Sequence, residues 1–437
     1  MSPAPPLNQP EFPVRPDRPL PRKTEVLVIG GGIAGVAAAL TLADLGVPVV
    51  LCEKGRIAGE QSSRNWGWIR MQGRDAREIP LMLEAQALWR SFGARTGTAL
   101  GLRQAGVAYL AETAEEMAAH EAWLKTASAY QIDTRALSPA AADAHVGQDA
   151  RRFLGGIYTP TDMHACPETA VPALARLASE TGAAIFEHTA VRRFERSAGR
   201  ITGVVTEHGS IACNAVILAG GAWCRPFLEN EGQALAQLAV RSQALRTGPA
   251  PGVAAGPVGT RRAAIRPRQD GSFTVGRTGA ARFDLIPAAF AHARHFLPMA
   301  RANWRILKLR FGPEFFGALG RNRWRADQIS PFETTRMFSP PPDKALAAAV
   351  LAAAGAVYPQ LQGAEARAVW GGMIDVTPDE VPAIGPVAGL ANVTLATGLS
   401  GHGFGLGPGV GQLAAHLALG HAPLVDPAPF APSRFAA

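Results

Sequence analysis

Apolar positions in the first part of the chain follow two different spacings. Residues 26–29 are continuously apolar, which is typical of a strand buried on both faces of a parallel sheet. After a short glycine run, residues 33–45 repeat apolar positions at helical spacing, and Gly46 ends this predicted helix. Residues 47–52 predict a second buried strand. The strand–helix–strand order predicts a right-handed βαβ unit.

The later sequence mixes helical and strand spacing. Apolar positions repeat at helical spacing in residues 77–91, 111–128, 166–181, 345–356 and 410–419. Short strand patterns cover residues 189–194, 201–207, 210–213 and 214–219. Residues 241–277 favour strands and turns, with a hairpin turn at Asp270 and Gly271. Residues 1–22 are Pro-rich, lack the apolar stretch of a secretory signal and predict a mobile lead-in.

Composition and charge exclude several functional classes. The 437 residues are 47% hydrophobic and 18% charged, which allows two or three domain-sized units and argues against disorder. The net charge of +8 comes from dispersed basic residues without a known nucleic-acid-binding signature, so no nucleic-acid partner is expected. The positive field instead favours an anionic cofactor or substrate. No apolar run reaches the length of a membrane span.

The cysteines do not form the spacings of a metal site or a disulfide framework. They are Cys52, Cys166, Cys213 and Cys224. This pattern fits a reducing compartment, so a cytoplasmic location is expected and no metal site is predicted.

Residues 304–338 are rich in Arg, Trp and Phe. A basic and aromatic segment of this kind favours peripheral contact with a membrane on its cytoplasmic face, or docking of an electron acceptor. Ordinary amphipathic helices over a substrate domain would give the same pattern, and the sequence leaves both interpretations open.

The sharpest functional motif lies between the first strand and the first helix. Residues 30–35 read G-G-G-I-A-G and satisfy G-x-G-x-x-G in the strand–turn–helix context that the motif requires. Gly30 permits the tight turn, Gly32 lets the backbone approach a pyrophosphate, and Gly35 allows close packing of helix on strand. The N–H groups of Ile33 and Ala34 open the helix and would face the phosphates.

One acidic residue and the number of motifs indicate a single dinucleotide. Glu53 stands at the end of the second predicted strand, where its carboxylate can accept hydrogen bonds from both ribose hydroxyls. The chain contains one G-x-G-x-x-G, whereas enzymes that bind both FAD and NAD(P)H in this way usually need two. One bound dinucleotide is therefore expected.

Three later segments resemble the D-amino-acid oxidase superfamily of FAD-dependent oxidoreductases, which includes glycine oxidase, sarcosine oxidase and dehydrogenase, and D-amino-acid dehydrogenases. They are residues 214–223 (NAVILAGGAW), 377–386 (TPDEVPAIGP) and 397–409 (TGLSGHGFGLGPG). The resemblance covers most of the chain and implies FAD as the cofactor. It also implies that the Gly-rich loop of residues 397–409 packs against the flavin, with the N-terminus of the helix 410–419 stabilising negative charge on the reduced ring.

The resemblance further implies a set of site residues. The loop at residues 62–70 would run over the flavin and the pyrophosphate. With the glycine motif included, the expected cofactor contacts are Gly30, Gly32, Ile33, Ala34, Gly35, Glu53, Lys54, Arg64, Asn65, Trp66, Gly67, Val191, Gly220, Trp223, Gly372, Gly401, His402, Gly403, Phe404 and Gly405. The catalytic candidates are His402 as a base or flavin contact, Arg70 for a substrate carboxylate, and Trp68 as a wall of the site.

Family members that attach flavin covalently use a Cys in the last third of the chain or a His near its start. This chain has neither, since its last cysteine is Cys224 and its first histidine is His120. FAD is therefore expected to be bound non-covalently.

Two positions depart from the pattern of the superfamily. The arginine that binds the α-carboxylate in glycine oxidase and D-amino-acid dehydrogenases falls at Ile374, which argues against a simple D-α-amino acid. An N-substituted amino acid, a cyclic or secondary amine, or a polyamine conjugate stays open, and Asp375 could pair with a cation or cap a turn. Thr274 stands where sarcosine oxidase-like members place a lysine near flavin N5, which favours a dehydrogenase over an oxidase.

The fold expected from these features is an α/β plus β flavoprotein. It combines a Rossmann-type, glutathione-reductase-like FAD-binding domain with a substrate domain on a mixed or antiparallel sheet. The FAD-binding domain is expected in residues 24–75, 150–225 and 366–425, and the substrate domain in residues 76–149 and 226–365. Residues 1–23 would form the lead-in and residues 426–437 a tail.

The expected reaction is oxidation of the C–N bond of an amino acid or of a secondary or N-substituted amine. A hydride passes from carbon to flavin N5 and the imine is then hydrolysed. A quinone, a redox protein or O₂ could reoxidise the flavin. Two alternatives stay open: the FAD-bearing subunit of a hetero-oligomeric opine- or proline-type dehydrogenase with a partner chain, and an α-hydroxy-acid oxidoreductase.

Overall fold

The structure of the protein, a computed structural model, describes residues 19–147, 152–250, 255–277, 282–302, 304, 308–320 and 323–435. Most of the predicted lead-in lies outside these residues. The helices are α1 (Ile33–Asp44), α2 (Gln61–Arg64), α3 (Ile79–Thr96), α4 (Ala114–Ala129), α5 (Pro139–Ala144), α6 (Pro167–Thr181), α7 (Cys224–Asn230), α8 (Pro287–Ala291), α9 (Ala293–Ala302), α10 (Pro331–Thr334), α11 (Lys344–Val357) and α12 (Gly403–Leu419). The strands are β1 (Lys23–Ile29), β2 (Val49–Cys52), β3 (Trp68–Ile69), β4 (Val107–Ala111), β5 (Arg135–Leu137), β6 (Gly155–Thr159), β7 (Met163–His164), β8 (Ala184–Phe186), β9 (Val191–Ser197), β10 (Arg200–Thr206), β11 (Gly209–Leu218), β12 (Leu238–Thr247), β13 (Val258–Gly259), β14 (Ala264–Pro267), β15 (Phe273–Gly276), β16 (Arg282–Asp284), β17 (Lys308–Arg310), β18 (Ala366–Val376), β19 (Ala383–Val387) and β20 (Leu390–Thr397).

The first sheet has a parallel centre in the order β8–β2–β1–β11–β20. Val26 of β1 pairs with Val49 on one side and with Ala215 on the other, which places β1 inside the sheet. Val26, Leu27 and Val28 are fully buried, as their continuous apolar run predicts. The predicted strand–helix–strand order of β1, α1 and β2 is confirmed, and the two strands are parallel.

Helix α12 corrects one prediction. The glycine-rich residues 397–409 predict a loop, but α12 begins at Gly403 within them. The reason is close helix packing: a Cβ on Gly411 would lie 2.5 Å from the carbonyl oxygen of Ala34 in α1, and one on Gly409 would lie 2.7 Å from that of Leu81 in α3. Packed interiors do not accommodate such contacts. The glycines therefore let α12 approach both helices, with its first turn beside the glycine turn that opens α1.

The second sheet is built on β12 and β18, which pair antiparallel from Leu238 and Val376 to Thr247 and Ala366. Its order is β17–β16–β12–β15–β14–β13–β4–β6–β5, and β18 lies off this path and also pairs with β12. The hairpin turn predicted at Asp270 and Gly271 is confirmed, because it joins the antiparallel strands β14 and β15.

The helix predicted from residue 111 starts later than its apolar spacing suggests. Strand β4 runs to Ala111, and α4 begins at Ala114. The side chain of Thr113 accepts a hydrogen bond from the backbone N–H of Glu116, and the Glu116 carboxylate accepts one from Thr113 N. This capping box fixes the start of the helix.

Strands β6 and β18 lie in the second sheet, although residues 150–225 and 366–425 are expected in the FAD-binding domain. The domain boundaries themselves stay a prediction. Within the described residues, none of the helices combines the length and the hydrophobicity needed to cross a bilayer.

Candidate functional site

The turn between β1 and α1 is built from glycines that no other residue can replace. Gly30 has a φ of +111°, and a Cβ on it would lie 2.5 Å from the carbonyl oxygen of Ala219. A Cβ on Gly35 would lie 2.0 Å from the carbonyl oxygen of Gly30. The start of α1 therefore packs directly on the turn, and the backbone N–H of Ile33 donates to Ser62 Oγ at 2.9 Å.

Glu53 is held at the C-terminal end of β2 by the backbone of the same region. Its two carboxylate oxygens accept hydrogen bonds from Gly31 N and Gly55 N, both at 2.7 Å. Burial raises the pKa of Glu53, while Lys54 and the two N–H donors act in the opposite direction. Its contact with a ribose stays a prediction.

A cleft extends from this turn to the first turn of α12, and its lining includes Ile374, Gly401 and Phe404. Lys54 and Trp223 form a polar group with Glu60 on the wall of the cleft. Lys54 Nζ lies 2.7 Å from Glu60 Oε1 and 4.2 Å from the centroid of the Trp223 ring, while Trp223 Nε1 donates to Glu60 Oε2 at 2.9 Å. The three side chains fix one another beside the cleft.

A chamber of about 770 Å³ adjoins the cleft. Its walls come mainly from β12, β16, α8 and α9, and they are largely apolar. The apolar side chains are Leu238, Val240, Phe283, Leu285, Phe290, Phe296, Leu297, Met299, Trp304 and Leu309. A chamber of this size and lining is typical of a site for an apolar small molecule.

The cleft and the chamber share part of their lining, so they meet. The shared residues are Gln61, Asn65, Ile374, Gly401 and Phe404. At this junction Gln61 Oε1 is buried without a hydrogen-bond partner. An unpartnered buried acceptor favours a ligand with a polar N–H group at the same place.

Arginines give the chamber positive charge. Arg70, Arg74 and Arg277 line it, and neither Arg70 nor Arg277 is ion-paired with a described acidic side chain. The Arg70 guanidinium donates to the carbonyl oxygen of Gln72, whereas the described residues provide no hydrogen bond to Arg277. Uncompensated guanidinium groups in an apolar chamber favour a carboxylate ligand.

The family of the chain is decided by residues 25–417, which match the model of the family described as "DAO: FAD dependent oxidoreductase". The chain belongs to this family. Its cofactor is FAD, and its fold is the FAD-binding Rossmann-type domain with a second domain that the sequence predicts.

Several proteins with named activities are similar to this DAO-family oxidoreductase. It is similar to the L-amino acid deaminase of Proteus myxofaciens, solved in complex with anthranilate, with a TM-score of 0.90, 28% identity, and coverage of 96% of this chain and 95% of that one. It is 27% identical to the glycine oxidase of Pseudomonas putida over 93% of this chain and 98% of the relative. The human mitochondrial sarcosine dehydrogenase is 29% identical over 48% of this chain, and the match spans 24% of that relative. A mouse mitochondrial pyruvate dehydrogenase phosphatase regulatory subunit is likewise matched over 24% of its length.

FAD fits the two connected cavities of this family member. The glycine turn lines the cleft with Gly30, Gly31 and Gly32, whose bare backbone forms a cradle that a pyrophosphate can approach. At the far end of the cleft, Gln61 and the first turn of α12 meet the chamber, so a flavin ring bound at this end would be open to a substrate in the chamber. The described residues place Cys52 on the cleft, but burial raises the pKa of its thiol to about 12. Such a thiol is unreactive, and the expectation of non-covalent FAD is kept.

Most of the predicted site residues line one of the two cavities. Those on the cleft are Gly30, Gly32, Ile33, Ala34, Glu53, Lys54, Asn65, Val191, Gly220, Trp223, Gly401, Gly403 and Phe404. Those on the chamber are Arg64, Asn65, Trp66, Trp68, Arg70, Gly372, Gly401, His402 and Phe404. The structure brings these residues together, and their individual contacts with FAD stay predictions.

Three predicted contacts lie behind the cavity walls. A Cβ on Gly35 would meet the glycine turn, and one on Gly67 would lie 2.3 Å from the carbonyl oxygen of Ala165. The carbonyl oxygen of Gly405 accepts a hydrogen bond from Trp89 Nε1 at 2.9 Å. These glycines shape the site through packing.

Arg64 and Thr274 are engaged with the protein itself. Arg64 donates to the carbonyl oxygens of Phe338 and Gly59 at 2.7 and 2.8 Å, so its guanidinium joins the loop between α10 and α11 to the loop before α2. Thr274 Oγ1 is buried and lies 3.1 Å from a guanidinium nitrogen of Arg266, and it lines neither cavity. Its bearing on the reaction with oxygen stays a prediction.

Asp375 caps a turn, which is one of the two roles the sequence left open. Asp375 Oδ2 accepts hydrogen bonds from Gly398 N at 2.6 Å, Leu399 N at 3.3 Å, Thr397 Oγ1 at 3.0 Å and Gln237 Nε2 at 3.2 Å. The carboxylate therefore holds the chain between β20 and α12 at the wall of the cleft.

The variant Asp375→Asn is expected to lower the free energy of unfolding by about 2–3 kcal/mol and to weaken FAD binding, because an amide nitrogen would face N–H donors that now share a charged acceptor. Thermal unfolding and flavin titration of the apoprotein measure both effects. Asp426→Asn is the matched control, since this exposed carboxylate accepts from Ala428 N alone. Equal, small changes in both variants would contradict the capping role.

Sequence reasoning missed several residues at the site. Glu60 and Gln61 directly precede the segment 62–70 considered in the sequence, and Arg74 follows it by four residues. Arg277 directly follows β15, in the stretch that predicts strands and turns. No spacing in the sequence marks it, because it reaches the chamber only through the pairing of the second sheet.

Proposed function

We propose that this DAO-family enzyme oxidises the C–N bond of an α-amino acid with a bulky apolar side chain. The observation that carries the proposal is the junction of the FAD cleft with an apolar chamber lined by Arg277, an exposed arginine that pairs with none of the described acidic side chains. Apolar walls would hold the side chain, and the guanidinium would hold the carboxylate. FAD, when bound, supplies the acceptor for the hydride of the Cα–H bond.

The named relatives support an amino acid as the substrate. The Proteus deaminase binds anthranilate, which joins an aromatic ring, an amine and a carboxylate, and the same three features match the lining of the chamber here. Glycine, the substrate in the name of the bacterial oxidases, has no side chain to fill such a chamber. The chamber therefore favours a larger amino acid.

In this proposal Arg277 takes the place of the carboxylate-binding arginine that the family pattern has and this chain lacks. Ile374 occupies the position expected to bind the α-carboxylate and lines both cavities, so it cannot supply a charge. Arg277 enters the same chamber from the second sheet. The substrate would then be held with its carboxylate toward β15, and Arg70 would add to the positive field.

The electron acceptor is proposed to be a quinone or a redox protein. Phe290, Leu297, Trp304 and Leu309 line the chamber and are also between 48% and 68% exposed, so the chamber opens onto an apolar patch. Exposed apolar side chains flanked by basic residues favour a lipid surface. The protein is expected to float with vesicles that contain anionic phospholipid. Failure to float with these vesicles would contradict the membrane contact.

The experiment that tests the proposed reaction is anaerobic reduction of the bound flavin by substrate pools. We expect bleaching of the visible absorbance by large apolar amino acids, little bleaching by glycine or sarcosine, and none by α-hydroxy acids or NADH. Readmission of air then separates an oxidase from a dehydrogenase. Bleaching by hydroxy acids alone, or by no pool, would overturn the proposal, and the second result would favour an enzyme that needs a partner subunit.

A further inference from the structure

A buried carboxylate lies behind the imidazole that faces the chamber. Glu78 ends a short 3₁₀ turn, Ala76–Glu78, immediately before α3; its side chain is 2% exposed and lines neither cavity. Glu78 Oε1 lies 3.4 Å from His402 Nδ1, and neither atom has a hydrogen-bond partner among the described residues. The His402 side chain lines the chamber and is 19% exposed, although its Nδ1 is buried.

We propose that Glu78 and His402 act together to remove a proton from the ammonium group of the bound substrate, with His402 as the base and Glu78 as its positioning residue. This inference rests on the proposed amino-acid oxidation. A carboxylate at Nδ1 favours the tautomer with the proton on Nδ1. Nε2 is then the unprotonated nitrogen and can accept a proton in the chamber.

The step is needed because an ammonium nitrogen has no lone pair to assist loss of hydride. His402 Nε2 accepts one proton from the ammonium group, which gives an imidazolium and a neutral amine. Bound FAD would supply the hydride acceptor as the Cα–H bond breaks, and the lone pair now free on nitrogen would form the C=N bond. The imidazolium returns its proton to water, and the iminium is hydrolysed to the oxo acid and ammonium.

Burial and the surrounding positive charges keep His402 neutral before the reaction, and the Glu78 carboxylate beside Nδ1 would offset them when the imidazolium forms. Arg74 Nη2 donates to the carbonyl oxygen of His402 at 3.2 Å, and His402 directly precedes the positive end of α12. Burial, followed by Arg74 and Arg70, lowers the pKa of His402 well below its usual value. Burial raises the pKa of Glu78, and Arg74 opposes that rise. The other titratable groups around the pair are Asp75, Tyr109, Asp162 and Glu380.

The test is the pH dependence of flavin reduction in the FAD-loaded variant Glu78→Gln. At neutral pH its kcat/KM is expected to fall at least about tenfold, which is less than the roughly 10²–10⁴-fold contribution of a general base because Glu78 acts through His402. The loss should disappear as the pH rises to where the substrate amine is already neutral. It should also be absent at neutral pH for a fluorinated amino acid whose amine is a weaker base.

Controls separate a proton-transfer role from a structural one. His402→Gln should give the same pH signature, and the double variant should be no slower than either single variant, because both remove one function. Glu84→Gln, in α3 directly after the turn of Glu78 but outside the chamber, should match the unchanged protein. A loss that is uniform across pH, or additive losses in the double variant, would overturn the inference. If no amino acid reduces the flavin of the unchanged protein, the proposed function fails instead.

Discussion

The variant Gly35→Ala is expected to purify almost free of FAD. Its Cβ would lie 2.0 Å from the carbonyl oxygen of Gly30 and 3.4 Å from the Cβ of Ala219, and the backbone of Gly30 leaves it no room. In an ordinary helix the same change stabilises the fold by about 0.5–1 kcal/mol. Here the clash must push α1 away from the turn, at a net cost of roughly 2–3 kcal/mol. The ratio of flavin to protein absorbance and the thermal midpoint measure both consequences.

The control for this prediction is Gly248→Ala. A Cβ at Gly248 would meet only Arg367 Nε, at 3.6 Å, which is ordinary van der Waals contact. This variant should keep its FAD and its stability. A Gly35→Ala protein with a full complement of flavin would show that the turn can shift without losing the pyrophosphate cradle, and the geometric argument for Gly35 would then fail.

Local sequence determines the part of the fold that carries the dinucleotide. The apolar run of β1, the glycines and the helical spacing of α1 follow one another within about twenty residues, and each feature requires its neighbour. Their conformation could be predicted because no distant contact competes with it. The ends of helices are harder to predict from the sequence, because they depend on single capping residues such as Thr113 before α4.

Glycine in α12 shows where local reasoning fails. A run of alternating glycines reads as a loop because glycine is a poor helix former. The same residues are required here by distant partners, since Gly407 would meet Ile33 at 2.5 Å if it carried a Cβ. Tertiary packing therefore overrides propensity, and only the arrangement of α1, α3 and α12 reveals it.

The substrate side of the site could be predicted least from the sequence. The family pattern places its carboxylate-binding arginine at Ile374 in β18, and the sequence offers Arg70 in its place; both assignments stay predictions. Arg277 lies far from both positions in the chain and reaches the site through the second sheet. Glu78 follows Arg70 closely in the sequence but reaches the site through the turn before α3. Their roles cannot be predicted from the sequence, because the chamber beside them forms only when the chain folds.

Arg277→Met is expected to lower kcat/KM for an apolar amino acid by about 10²-fold, mainly through a higher KM. That factor corresponds to roughly 2.7 kcal/mol. Because Arg277 is exposed in the free protein, a loss of this size requires that the bound substrate shields the ion pair from water. The apolar replacement keeps much of the volume of the side chain and removes its charge, so FAD binding should not change. Flavin reduction measured by stopped flow across substrate concentrations gives both constants.

The decisive comparison uses the amine that lacks the carboxylate. If Arg277 binds that group, the decarboxylated analogue of the substrate should react equally slowly with the unchanged protein and with Arg277→Met, whereas Arg277→Lys should recover part of the activity toward the amino acid. Arg200→Met changes an exposed arginine beside a remote surface recess and should have no effect. A larger loss in Arg70→Met than in Arg277→Met would transfer the carboxylate to Arg70, as the sequence alone suggested. Arg70 follows β3, whereas Arg277 follows β15. That result would therefore place the carboxylate of the substrate on a different wall of the chamber.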